Sequence, residues 1–165
     1  MQNSYYQIAQ MFSRKATSKQ FDEMFHQPEK EDPRFLDDFF IKVFIEMKEK
    51  FQVSFKFIGE ENFKILVYEY LRNVPYHNDN YGHLFPEFIG QIPVLDQMRY
   101  LKWIAKLDWF WFADNKESIT LPKGTLNSWG NLQRDEEQIQ IEIDESVMER
   151  LVVKKFGNEF KIVAV

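Results

Sequence analysis

The stretch from Gly59 to Trp109 decides the fold. It reads G-E-E-N-F-K-I-L-V-Y-E-Y-L-R-N-V-P at residues 59–75, Y-G-H-L-F-P-E-F-I at residues 81–89 and Y-L-K-W-I-A-K-L-D-W at residues 100–109. Aromatic and aliphatic residues recur there at three- and four-residue steps, and Pro and Gly mark the breaks, which is the pattern of amphipathic helices. It contains no Gly-rich phosphate loop, no metal-ligand pair and no nucleophile–base pair, so it predicts packed helices and not a catalytic site.

The flanking sequence extends this helical pattern towards the N-terminus. One or two helices are predicted from Tyr5 to Phe25, and the stretch H-Q-P-E-K-E-D-P after them predicts a loop. A long helix is predicted from Arg34 to Phe51, because phenylalanines recur on one side of it. Residues 53–58, V-S-F-K-F-I, alternate like a strand but are too few to choose between strand and helix. Further helices are predicted at residues 60–74, 83–89 and 95–112, and the last is apolar nearly all round, which predicts a central position.

The pattern changes after Ala113. The stretch N-K-E-S-I-T-L-P-K-G-T-L-N-S-W-G-N is rich in turn residues, and I-Q-I-E-I at residues 139–143 alternates like a half-buried strand. Strands are also predicted at Val147–Val153 and Glu159–Val165, with Gly157-Asn158 as the hairpin turn. The predicted fold is therefore mainly α: an N-terminal bundle of five or six helices at residues 1–113, followed by a small antiparallel β unit at residues 118–165.

Composition narrows the classes of function. The chain has 165 residues, a net charge of −5 and no Cys. The missing Cys excludes disulfides, thiolate metal sites and Cys nucleophiles. No segment is basic overall, which counts against a nucleic-acid surface. We expect a cytoplasmic protein, because the N-terminus lacks a signal-peptide pattern and no run of about 20 apolar residues could span a membrane.

The order of motifs in residues 1–112 resembles the N-terminal helical domain of the HvfC family. The resemblance is carried by three groups of residues: Gly59, Glu60, Phe63 and Tyr70; then Tyr81, Gly82, Phe85, Pro86 and Phe88; then Tyr100, Leu101, Ala105, Leu107, Asp108 and Trp109. Asp108 stands where the family usually has Glu. The family was long labelled a DNA-binding domain, and some members are partner subunits of iron enzymes that modify small peptides in bacterial natural-product biosynthesis.

The resemblance implies a non-catalytic partner or scaffold protein that binds an iron-dependent peptide-modifying enzyme, its precursor peptide, or both. A DNA-binding or transcription-linked regulator is the alternative. On this reading the protein has no catalytic residue, no cofactor and no metal of its own. His77 and His83, with Asp79 between them, are the only candidates for a metal site, and a polar loop explains them more simply. Trp103, Trp109 and Trp111 have the spacing of a stacking platform, but helical spacing favours core positions.

Two segments are candidate partner-binding sites. The first is the polar loop Tyr76, His77, Asn78, Asp79, Asn80, Tyr81 and Gly82, because loops on a rigid scaffold often carry function. The second is the hairpin edge, where Leu151, Val152, Val153, Phe160, Ile162 and Val163 would present backbone groups to a peptide. Lys154, Lys155 and Lys161 near this edge fit two interpretations equally well: protection against aggregation, or attraction of an acidic partner segment.

Overall fold

The computed structural model describes residues 38–77, 80–92, 99–113, 117–134 and 141–165. Six α-helices lie in these ranges: α1 Asp38–Lys50, α2 Gln52–Ile58, α3 Glu60–Asn73, α4 Phe85–Gln91, α5 Leu101–Phe112 and α6 Thr125–Gln133. The strands β1 Ile119–Lys123, β2 Asp144–Phe156 and β3 Glu159–Ala164 form one antiparallel sheet in the order β1-β2-β3. The prediction of a mainly α fold with a small antiparallel β unit is confirmed at this level.

Phenylalanine spacing produces the first core. Phe40, Val43, Phe44 and Met47 recur on one side of α1 and are all buried. They pack with Phe63, Leu66 and Tyr70 of α3 and with Phe85 and Phe88 of α4. The helix predicted at residues 34–51 is thus present from Asp38 onwards. The helices predicted between Tyr5 and Phe25 and the loop after them lie outside the described residues.

The ambiguous residues 53–58 are helical, in α2. Gly59 ends this helix with φ of 83° and directly precedes α3. Glu60 and Glu61 occupy the first turn of α3, where their charge favours the positive end of the helix dipole. The helix buries Val53 and Ile58 against its neighbours.

Helix α5 joins the two cores. Its residues Leu101 and Ala105 belong to the first core, and Ile104, Leu107 and Phe110 belong to a second core that includes residues of α2, α6 and the sheet. The central position predicted from its all-round apolar sequence is confirmed. Trp103, Trp109 and Trp111 are partly buried and pack against these cores, as the helical spacing predicted.

The structure corrects two predictions in the C-terminal region. The stretch at residues 115–131, predicted as turn-rich, contains β1 and most of α6. The helix forms because Trp129 and Leu132 lie one turn apart on a face that enters the second core. The strand predicted at residues 139–143 is wrong for residues 141–143, which precede β2 without pairing. Ile143 is nevertheless buried, so the apolar alternation reports burial and not a strand. The boundary between residues 113 and 118 stays a prediction.

Among the residues that the structure describes, no helix is both long enough and apolar enough to cross a lipid bilayer.

Candidate peptide-binding edge and the Asp108 cleft

The β2–β3 hairpin projects from the body of the protein. Leu151 of β2 is 1% exposed and belongs to the second core, and Val153 and Ile162 beside it are half-buried. Every residue from Lys154 to Lys161 is exposed, and Phe156 and Phe160 expose 50% and 59% of their surface. The two-residue turn Gly157-Asn158 closes the hairpin, with Phe156 paired to Glu159. The outer half of the hairpin is thus a ribbon with both faces in solvent.

The register shows which backbone groups of β3 point outward. The amide of Val165 donates to the carbonyl of Arg150 at 3.0 Å, so Val165 and Arg150 form a hydrogen-bonded pair. Residues alternate along an antiparallel strand between hydrogen-bonded and non-hydrogen-bonded positions. Val163 and Lys161 therefore also face β2. The N–H and C=O groups of Phe160, Ile162 and Ala164 point to the other side of β3, where the described residues provide no strand.

Side-chain direction separates the predicted edge residues into two sets. Leu151, Val153 and Ile162 lie on the face towards the second core, and Phe160 continues that face into solvent. Val152 and Val163 are paired on the opposite, outer face of the sheet. The prediction named all these residues as one edge. The structure assigns the outward backbone groups of β3 to Phe160, Ile162 and Ala164, and Ala164 was missed because its small side chain gives no signal in the sequence.

The loop predicted as a partner contact is fixed to the helices by its tyrosines. The Tyr81 hydroxyl donates to the carbonyl of Val74 at 2.7 Å, and Lys50 Nζ donates to the carbonyl of Tyr81 at 3.0 Å. The Tyr76 hydroxyl lies 3.1 Å from a carboxylate oxygen of Glu46 on α1. Tyr81 is fully buried, so it anchors the loop and is not a contact surface.

The other described residues of the loop differ in their exposure to solvent. His77 and Asn80 are exposed, whereas Gly82 is buried below Met47 and Phe51. Asn78 and Asp79 lie outside the described residues. The rings of His77 and His83 are 5.9 Å apart, and within the described part of the chain no three His, Asp or Glu side chains gather as metal ligands would.

A second site, which the sequence analysis missed, is centred on the buried carboxylate of Asp108. Oδ2 accepts hydrogen bonds from the amide and the hydroxyl of Ser54, each at 2.8 Å. Oδ1 accepts from Trp129 Nε1 at 2.9 Å and from the amide of Val53 at 3.3 Å. The amides of Val53 and Ser54 are in the first turn of α2, whose N-cap residue Phe51 makes no side-chain cap. Asp108 therefore caps α2 from another helix.

Burial dominates the electrostatics of this carboxyl group. It raises the pKa of Asp108 to about 6, although the hydrogen bonds from Ser54, Trp129 and Val53 act in the opposite direction. The group lines a cleft of about 290 Å³ with the following residues: Glu49, Lys50, Gln52, Val53, Trp111, Phe112, Trp129 and Gln133. Because four donors already surround the two oxygens, the arrangement serves to join α2, α5 and α6.

The Asp108 side chain reaches the α2 amides directly from α5. The sequence signal was present as the one acidic residue of a helix that is apolar nearly all round. A buried acidic residue of this kind requires partners, and these come from residues 54 and 129, which no local pattern connects.

Comparison with known proteins adds no family. No family model matches the chain, and neither a curated protein nor a solved structure does. The resemblance to the HvfC family therefore stays a hypothesis.

Proposed function

We propose that this protein is a non-catalytic binding subunit that holds an extended peptide segment along β3. The observation that carries the proposal is the outward row of backbone groups at Phe160, Ile162 and Ala164. Adding a strand to such an edge supplies main-chain hydrogen bonds, and the neighbouring side chains supply selectivity. The binding segment would extend the three-stranded sheet to four strands.

The composition of the edge supports this role. Natural edge strands are often protected by proline, by bulges or by charges directed inward. β3 contains no proline, and its register with β2 is regular from residue 159 to residue 164. Its one lysine, Lys161, lies on the outer face of the sheet. On the other face, Phe160 and Ile162 offer an apolar surface to an incoming strand.

The resemblance to the HvfC family directs the proposal towards particular partners. These are an iron-dependent peptide-modifying enzyme and its precursor peptide. In this model of function the helices dock the enzyme and the hairpin presents the peptide. The loop from Tyr76 to Gly82 is a suitable docking contact, because Tyr81 and Lys50 hold its backbone in place while His77 and Asn80 remain exposed.

A DNA-binding role is the second candidate, and one observation favours it. From residue 150 to residue 165 the hairpin carries the basic residues Arg150, Lys154, Lys155 and Lys161 against a single acidic residue, Glu159. A two-stranded ribbon fits the major groove of B-DNA. The net charge of −5 for the whole chain opposes non-specific attraction to phosphates, so we rank this role below peptide binding.

Replacing Ile162 by proline is expected to abolish capture of the peptide partner. The Ile162 amide points away from β2, so a proline there removes an outward donor without breaking the β2–β3 ladder. Affinity capture from the native host, read by mass spectrometry, should recover an iron enzyme or a small peptide with the wild-type protein and lose it with Ile162→Pro.

The matched control is Ile162→Ala, which loses the same apolar contacts but keeps the amide. It should retain most of the captured partner. Equal recovery by the proline and wild-type proteins would contradict binding at the β3 edge. Recovery of nucleic acid in place of protein, released by raised salt, would favour the second candidate.

A further inference from the structure

We infer that the β3 edge selects an extended segment with an acidic residue beside Lys161 and apolar residues on both sides of that acid. This inference rests on the proposed function and specifies its ligand class. It follows from the rows of side chains that cross the sheet. In a β-sheet, paired residues on neighbouring strands form such rows, and an added strand continues each row by one side chain.

The row through Lys161 is cationic. Lys154 of β2 is directly opposite Lys161 of β3, and like charges in that position are destabilising. Glu159 Oε2 is 3.7 Å from Lys161 Nζ, but both side chains are largely exposed, at 76% and 61%, so solvent screens this pair and it contributes little. An acidic side chain on an added strand would enter the row next to Lys161 and offset the repulsion from Lys154.

The two β3 residues next to Lys161 in sequence, Phe160 and Ile162, are apolar. Phe160 is opposite Lys155 of β2, and on the outer face Glu159 follows Lys161 towards the turn. Val152 and Val163 form the next row on the outer face, and both are half-buried. On the opposite face, Val153 and Ile162 form a row that packs against the second core, and Phe160 lies one row further towards the turn. An added strand therefore meets a cation at Lys161 and apolar side chains at Phe160, Ile162 and Val163.

A second copy of the same chain is the competing occupant of this edge. Antiparallel pairing of two β3 strands centred on Ile162 would place the two Lys161 side chains in adjacent rows of a face that already holds Lys154 and Arg150. Pairing centred on Phe160 would instead place each Lys161 opposite Glu159 of the other copy, so charge opposes only the first of these two arrangements.

The test is a titration of the full-length, ¹⁵N-labelled protein with two nine-residue peptides, followed by NMR. The first is Ser-Thr-Val-Ile-Glu-Ile-Val-Thr-Ser, which places the same residues beside β3 in either strand direction. The second has lysine in place of the glutamate. Amide shifts at Phe160, Ile162 and Ala164 locate the binding and give the dissociation constants. We expect the glutamate peptide to bind about 3- to 10-fold more tightly than the lysine peptide.

A charge reversal identifies the selecting residue. In the Lys161→Glu variant the preference should reverse, so that the lysine peptide binds more tightly. Lys155→Glu is the matched control, because it changes the net charge equally but Lys155 lies on the other face, where its Nζ is 5.8 Å from the centre of the Phe160 ring. This variant should keep the preference for the glutamate peptide.

The outcomes separate the two proposals. If both peptides shift the three amides with equal affinity and Ile162→Pro abolishes both, the edge binds peptides and the inferred sequence preference is wrong. A preference that reverses equally in Lys155→Glu would also overturn it, because overall charge would then decide. If neither peptide shifts these amides, edge binding itself is contradicted.

Discussion

Replacing Asp108 by alanine is expected to lower the free energy of unfolding by about 3–5 kcal/mol, because it breaks a buried hydrogen-bond network. The substitution leaves the amides of Val53 and Ser54 and the Trp129 indole without their acceptor. Each orphaned buried donor costs about 1–3 kcal/mol, and the relief of burying a carboxylate offsets part of the total. Urea unfolding followed by far-ultraviolet circular dichroism measures the change.

Glu49→Ala is the control for this prediction. Glu49 lines the same cleft but is exposed, so its removal should change stability by less than about 0.5 kcal/mol. A loss of under 1 kcal/mol for Asp108→Ala would show that the carboxylate does not hold α2, α5 and α6 together.

The same carboxyl group should make stability depend on pH. Its pKa is about 6 in the folded state, above the ordinary value of 3.8, so the folded protein keeps this proton to a higher pH than the unfolded chain does. The stabilisation from protonation is complete below pH 3.8 and is lost as pH rises through 6. Between pH 4 and 7, the free energy of unfolding of the wild-type protein should fall by up to about 3 kcal/mol relative to that of Asp108→Asn. A difference between the two proteins that stays constant over this range would exclude the raised pKa.

Gly124→Ala is the second substitution with a large expected effect, at least about 3 kcal/mol of destabilisation. Gly124 connects β1 to α6 with φ of 92°, where a residue with a Cβ is strained. A Cβ at this position would also overlap the carbonyl oxygen of Glu142, so the backbone before β2 would have to move. Chemical denaturation of the purified variant gives the loss.

Substitutions at two other glycines separate the effect of backbone strain from the effect of the contact with Glu142. Gly59 has φ of 83° and ψ of 166°, a conformation that is open almost only to glycine, but no atom lies within 4 Å of an added Cβ, so Gly59→Ala should show conformational strain alone, about 1–3 kcal/mol. Gly130 is inside α6, where an alanine has room and a better helix propensity, so Gly130→Ala should be neutral or stabilising. If Gly124→Ala costs no more than Gly59→Ala, the contact with Glu142 is not as close as described.

The helical part of the fold was predictable because its signals are local. Phe40, Phe44 and Met47 repeat at helical steps, and the all-round apolar sequence of α5 predicted a helix covered on most sides. The secondary structure of the C-terminal region was harder to predict, since its apolar patterns are short. Residues 125–133 look like turns when read alone, and they become a helix only because Trp129 and Leu132 find a core assembled from distant segments.

Part of the candidate site was likewise predictable from local sequence, and part was not. The hairpin at Gly157-Asn158 and the strands beside it follow from turn chemistry, so the edge could be predicted. The direction of each amide could not, because it depends on the register between β2 and β3. Asp108 was missed as a site residue for a similar reason: its donors lie 54 and 21 residues away, at Ser54 and Trp129.

Hydrogen exchange at β3 tests the central claim most directly. In the protein alone, the amides of Phe160, Ile162 and Ala164 should exchange rapidly, whereas those of Lys161 and Val163, bonded to β2, should be slower. In the complex with the partner isolated from the native host, binding at the edge predicts that Phe160, Ile162 and Ala164 become slow while Lys161 and Val163 change little. Unchanged rapid exchange at these three amides, with slowing elsewhere on the protein, would contradict the account.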